Sequence, residues 1–276
     1  MLMQEVERRL RERDHDLDLE KLPGLRPIDD DFMRCLFKEN IPLAQFVLRI
    51  IMEKPDLIVT ELDTQADMKR LGGARSVTLD VYATDDSNQK YDIEVQREGK
   101  GARPRRARYH ASVMAIENLN QGQEFEELID TYTIFITEKD FYGDGEPFYK
   151  IERVNTTRRE LFGDGDHILY VNGEYRGDSD VGKLMHDFCC SDPDDMYFDI
   201  IADRTRYLKG MTKGDDTVCK AFEESRLDSA ITASIISYKD CGLQDDQIIE
   251  KLLSRFDITR EVAKKYINEM NTLMAV

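Results

Sequence analysis

The chain has no apolar stretch near the length of about 20 residues that a bilayer-spanning helix requires, so no transmembrane helix is expected. Its amino terminus, Met1 to Leu10, is charged throughout and has no signal-peptide core. Cysteine is scarce: Cys35, Cys189, Cys190, Cys219 and Cys241 are odd in number and lack a Cys-x-x-Cys spacing. That argues against a disulfide framework and a cysteine zinc site, and makes a reducing cytoplasm the expected setting. His110, His167 and His186 lack zinc-ligand spacing and read as structural or surface residues. The Gly-Asp-Gly turns at Gly143 and Gly163 lack the ligand spacing of an EF-hand loop. No Gly-x-Gly-x-x-Gly, Walker A or Gly-x-Ser-x-Gly sequence occurs, which removes the dinucleotide, P-loop and nucleophile-elbow chemistries.

Basic residues are in deficit, 39 Lys and Arg against 56 Asp and Glu, for a net charge of −17. A uniformly acidic surface would repel phosphates, but the charge is unevenly distributed. From Arg97 to His110 the chain carries Arg97, Lys100, Arg103, Arg105, Arg106 and Arg108 against Glu98 alone. A protein acidic overall and basic there can still take a polyanion at that place.

What is present suits a soluble α/β protein. At 276 residues and 41% apolar content, one large domain or a core with an appendage is expected. The reading divides the chain into an amino-terminal polar segment (1–27), a core domain (28–204) and a helical carboxy-terminal region (205–276). The core opens with a helix from Asp29 carrying Phe32, Met33, Leu36 and Phe37, and a second from Pro42 carrying Leu43, Phe46, Val47, Ile50 and Ile51. A polar connection from Thr60 to Ala74 follows.

Two alternating segments come next. Val77, Leu79, Val81 and Ala83 take one face of Ser76 to Ala83, with Asp80 on the other; Tyr91, Ile93 and Val95 alternate with Asp92, Glu94 and Gln96. The turn formers between them predict a hairpin, with Asp80, Glu94 and Gln96 on one surface. Two carboxylates and an amide so placed look like a divalent-metal site, whereas Asp92 is expected at the solvent end. A helix from Arg105 to Asn120, closed by Gly122, leads to a central, parallel strand at Thr131–Thr137. Strands at Phe148–Val154 and His167–Val171 follow. Helical stripes through Ala230, Ile231, Ile235 and Ile236, and through Ile248, Ile249, Leu252, Leu253 and Phe256, are expected to serve packing or a homo-oligomer. A last helix starts at Asp257, with Thr259 as its N-cap.

The order of helix, hairpin with Asp then Glu-x-Gln, helix and strand resembles the PD-(D/E)XK nuclease fold. More narrowly, it resembles the Rpn-type recombination-promoting, transposase-associated nucleases. The residues that carry this are Asp31 to Glu39, Leu79-Asp-Val, Asp92-Ile-Glu-Val-Gln and Arg106-Ala-Arg-Tyr, with Gly122 and the Thr131–Thr137 strand. The resemblance implies a restriction-endonuclease-like mixed sheet flanked by helices, and DNA cleavage; the apolar stripes add an α-helical carboxy-terminal extension. It implies Mg²⁺ or Mn²⁺ held by Asp80, Glu94 and the Val95 carbonyl. Gln96 falls where the superfamily usually has lysine and would orient a water; Glu39 falls where many relatives supply a third acid. Arg97, Arg103, Arg105, Arg106, Arg108 and Tyr109 would face the nucleic acid. The absent lysine and the overall acidity keep a second reading open: a nuclease fold that binds DNA or a protein without cleaving.

Overall fold

The computed structural model describes residues 22–67, 77–97, 101–210, 230–231, 234–235, 237–239, 241–256 and 258–274. The expected amino-terminal polar segment, apart from its end at 22–27, lies outside the described residues, as do Lys100 and Ile236. The described residues fall into two compact units, one drawn from Met1–Met68 and Val77–Asp215, the other from Lys69–Ser76 and Asp216–Val276.

In the first unit, α1 (Asp30–Phe37) buries Phe32, Met33, Leu36 and Phe37 completely. The next helix, α2 (Ile41–Ile51), starts where the Asn40 side chain accepts the Leu43 N–H at 3.3 Å, with Pro42 in its first turn. The start of α2 follows from local chemistry.

The sheet has six strands in the order β1 (Val59–Asp67), β2 (Thr78–Asp85), β3 (Lys90–Gln96), β4 (Thr131–Thr137), β8 (Asp166–Asn172) and β5 (Phe148–Ile151). Where a polar connection was expected, β1 (Val59–Asp67) pairs antiparallel with β2 (Thr78–Asp85), which pairs antiparallel with β3 (Lys90–Gln96). The expected hairpin is thus two strands of a meander. The register of β1 shifts between Val59 and Glu61. An extra residue there reverses the in/out phase, so buried Val59 and buried Ala66 do not share one alternation. That bulge on an edge strand is what hides β1 from a period-two reading.

From β3 the chain crosses through α3 (Pro104–Glu117) to β4 (Thr131–Thr137), parallel to β3 and buried at all seven positions. Next, β8 (Asp166–Asn172) lies parallel on its other side, and β5 (Phe148–Ile151) closes the edge antiparallel to β8. The strand expected through Val154 ends at Ile151, and Val154–Asn155 (β6) pairs with Glu160–Leu161 (β7) as a separate ribbon. Register across the three central strands stacks Tyr91 on Tyr132 at 5.0 Å and Tyr132 on His167 at 4.6 Å. Helix α3 ends at Asn118, whose side chain donates to the Met114 carbonyl at 2.7 Å. Gly122, expected to close this helix, lies four residues further on with φ of 93°.

The unit is completed by α4 (Asp180–Cys189) and α5 (Asp199–Lys209); α5 runs unbroken across the boundary expected at 204/205. Asp187 at the end of α4 is wholly buried and accepts the N–H groups of Tyr197 (2.8 Å) and Phe198 (2.9 Å). Asp187→Asn turns one acceptor oxygen into a donor facing an N–H. A loss of about 1–3 kcal/mol is expected, read as a lowered urea midpoint with unchanged slope.

The second unit packs Ile231, Ile235, Ile248, Ile249, Leu252, Ala263 and Ile267 into a core of its own, drawing on α6 (Asp245–Arg255) and α7 (Arg260–Met274). At the start of α7 the Thr259 hydroxyl accepts the Val262 N–H at 3.3 Å.

Candidate metal centre

The acids gather where β2 and β3 separate. The β2–β3 ladder has its last pair at Val81↔Ile93. One residue beyond, the Asp80 backbone N–H donates to the Glu94 side chain, Oε1, at 3.0 Å. The two carboxyl-bearing residues are therefore neighbours.

The polar face of β3 does not meet solvent. Glu94 lies opposite Phe135 of β4, and Phe135 joins Ala102, Ala107 and Tyr170 in one apolar cluster. Ala107 belongs to α3, so α3 lies over this face and closes it. The expectation for Asp92 is accordingly corrected: it is fully buried, as is Glu94. Alternation tells which residues share a face, but a face under a helix and a face in water give the same pattern.

Helix α3 brings two polar groups onto these acids. Arg106 and His110 are four residues apart and so share a helix face. His110 is 2% exposed, and its Nδ1 lies 2.9 Å from Asp92 Oδ2 and 3.8 Å from Glu94 Oε1. Arg106 Nε donates to His110 Nε2 at 3.2 Å, and Arg106 Nη2 to Glu94 Oε2 at 2.9 Å. Because Nε2 accepts, a neutral ring carries its proton on Nδ1 and donates it to Asp92. On the other side, Arg34 of α1 donates from Nη2 to Asp80 Oδ1 at 3.1 Å.

The electrostatic cost of this crowding is plain. Burial first, then the charge of Asp80, holds Asp92 well above the usual carboxylate range. Burial first, then Asp92 and Asp80, pushes Glu94 up to about 9. Asp92 Oδ1 is buried and accepts no hydrogen bond. Oxygen donors of this charge, one of them unused, fit a divalent cation.

The remaining expected site residues are spread around this cluster. Glu39 lies beyond the end of α1, exposed, with φ of 54°. The α1 residues brought to Asp80 are instead Arg34 and Asp30, whose pKa is raised by desolvation and then by the Asp80 charge. Gln96 is partly exposed, and its amide oxygen occupies the place a Cβ on residue 101 would take, which glycine leaves open. Arg97 pairs with Asp29 (3.3 Å) and Glu138 (3.5 Å). Tyr109 packs beside the apolar cluster of Ala66, Val77, Leu79 and Met114. Arg103, Arg105 and Arg108 are exposed at the start of α3.

Sequence reasoning missed Asp92, His110 and Arg34 as members of the cluster. For Asp92 a signal existed, its shared parity with Glu94. For His110 it was weaker, a single imidazole four residues after an arginine.

A mixed six-stranded sheet flanked by helices, with acids assembled at β2 and β3, defines an α/β protein of the restriction-endonuclease-like class. The sequence profile of the PD-(D/E)XK nuclease family transposases matches residues 38–176, half of the chain, and the chain belongs to that family. Neither a curated protein nor a solved structure matches it. No helix among the described residues is long and apolar enough to cross a membrane.

Proposed function

We propose that the protein is a divalent-metal-dependent endodeoxyribonuclease, with Asp80, Glu94 and the Val95 carbonyl holding Mg²⁺ or Mn²⁺. The observation that carries this reading is the approach of Asp80 to Glu94 in a buried cluster beneath α3, with buried Asp92 adding a third carboxyl. When bound, such a cation polarises a phosphate oxygen and lowers the pKa of water. Arg106, which bonds Glu94 in the metal-free chain and is partly exposed, can turn outward to meet phosphate charge at the edge of the cluster. Gln96, an amide, can orient a water by accepting a hydrogen bond from it or donating one to its oxygen, and cannot itself supply charge.

Exposed Arg103, Arg105 and Arg108 supply the DNA-facing surface in this reading. Arg105→Glu with Arg108→Glu is expected to weaken binding of duplex DNA and to lower the slope of log K against log salt by about 2. An unchanged slope in fluorescence anisotropy would take these arginines off the DNA.

Incubating supercoiled plasmid with the protein and Mg²⁺ or Mn²⁺ tests the activity itself. Nicked or linear product that EDTA prevents is expected; a plasmid left intact with both ions would overturn the proposal. One observation favours the binding-module alternative: Arg34 and Arg106 already bond Asp80 and Glu94, as in a protein that needs no cation. That module would bind DNA or protein with no calorimetric response to either metal. Self-association through the helical carboxy-terminal unit belongs to the same proposal, and sedimentation equilibrium reports it.

A further inference from the structure

We infer that Asp92, Glu94 and His110 form a cation position of mixed oxygen and nitrogen donors, which favours first-row transition ions, Mn²⁺ among them, over Mg²⁺. The inference deepens the nuclease reading and rests on it through Glu94, which both positions share.

Three observations carry it. The ligand atoms offered by Asp92, Glu94 and His110 all lie within 4.8 Å of one another. A first-row divalent ion with bonds near 2.1 Å asks for donor atoms roughly 3–4 Å apart, so only small side-chain shifts are needed. Second, Asp92 Oδ1 is buried without a partner, and so is the hydroxyl of Thr133, which stands opposite Asp92 in the β3–β4 register. Two buried, unsatisfied polar oxygens on one face of adjacent strands point to a polar guest that the protein groups do not replace. Third, the donor set is chemically selective. Magnesium binds oxygen and keeps its waters, whereas imidazole suits the later first-row ions.

The hydrogen bonds also specify what must move. A metal bound at His110 Nδ1 leaves the ring proton on Nε2. That N–H then faces Arg106 Nε–H, donor against donor, and the present 3.2 Å bond is lost. Arg106 therefore leaves when the cation arrives. Its side chain is 44% exposed, so it swings into solvent rather than into the core.

Calorimetric titration of the full chain with MnCl₂ and with MgCl₂ tests the selectivity. Mn²⁺ is expected to bind at least about tenfold more tightly than Mg²⁺. The variant His110→Gln is expected to lose about 10–100-fold in Mn²⁺ affinity, with Mg²⁺ binding nearly unchanged. Should that variant not fold, pulsed electron paramagnetic resonance on the wild-type protein with Mn²⁺ decides alone. A nitrogen coupling from a directly bound imidazole supports the site, and Mn²⁺ bound without one overturns it. Arg106→Met is expected to tighten Mn²⁺ binding, and weaker or equal binding would reject the displacement. Nitrogen-coupled Mn²⁺ in a protein that cuts no DNA would sink the nuclease reading and leave the site standing. Metal-dependent cleavage with no nitrogen coupling would do the reverse, and a wild-type chain that binds neither Mn²⁺ nor Mg²⁺ would end both.

Discussion

Asp80→Asn is expected to slow metal-dependent plasmid cleavage by about a thousandfold or more, a loss of ~4 kcal/mol of transition-state stabilisation. The same substitution is expected to leave the fold intact. Asparagine keeps the shape of the side chain, and its carbonyl oxygen can still accept from Arg34 Nη2, now at 3.1 Å from Asp80 Oδ1. Its backbone N–H, which donates to Glu94 Oε1, is untouched. Removing the Asp80 charge also removes one of the causes that raise both Asp92 and Glu94, so the metal-free melting temperature is expected to hold or rise. Asp80 is 8% exposed while the other two acids are fully buried, which makes it the nearest of the three to solvent. Gel conversion of supercoiled to nicked plasmid, beside a thermal melt, reads both effects. A variant with a wild-type melt and wild-type cleavage would remove Asp80 from the metal set. Under the binding-module alternative the wild-type chain is already inert, so the comparison separates the two readings directly.

Much of this arrangement was legible in the sequence because it is written at short range. The strands β2 and β3 show alternation, β4 is a run of β-favouring residues, and Pro42 announces α2. The β2–β3 pairing needed only the turn residues between them. Adding the order of elements was enough to suggest the class, because the crossover from β3 through α3 to β4 is one local unit.

The rest depended on distance in sequence. The bulge in β1 reverses its parity, and an edge strand has few buried positions with which to reveal it. Asp92 was misplaced because its burial is decided by α3, a later segment, and not by its own neighbours. His110 became part of the cluster for the same reason: its meaning depends on which strand lies beneath the helix. Arg34, from α1, reaches a residue 46 positions away. No periodicity encodes such a contact. Residues that the tertiary fold recruits are the ones a linear reading assigns to surface or structure, and here they are the ones that set the charge of the site.

Without metal, stability is expected to fall as the pH rises from about 5 to about 9, by several kcal/mol in all. The sign follows from the direction of the shifts. Glu94 is pushed from an ordinary 4.5 up to about 9, and Asp92 is raised as well, so the folded state favours their neutral forms. The unfolded chain ionises freely above its ordinary pKa. Each step of pH through the interval therefore draws protons from the unfolded state first, and the folded state loses ground until its own groups ionise. Below the ordinary carboxylate range both states hold the proton and the contribution is constant. A divalent cation reverses the balance, since it requires the ionised forms and binds the folded chain. Thermal melts at pH 6 and pH 9, each with EDTA and with MnCl₂, are expected to show a low metal-free melting temperature at pH 9 and the larger metal-induced rise there. Glu94→Gln, which cannot ionise, is expected to flatten the metal-free profile and to abolish most of the response to metal. A wild-type protein whose metal-free melt ignores pH would show that these carboxyls are solvated in solution, and their burial beneath α3 would have to be abandoned.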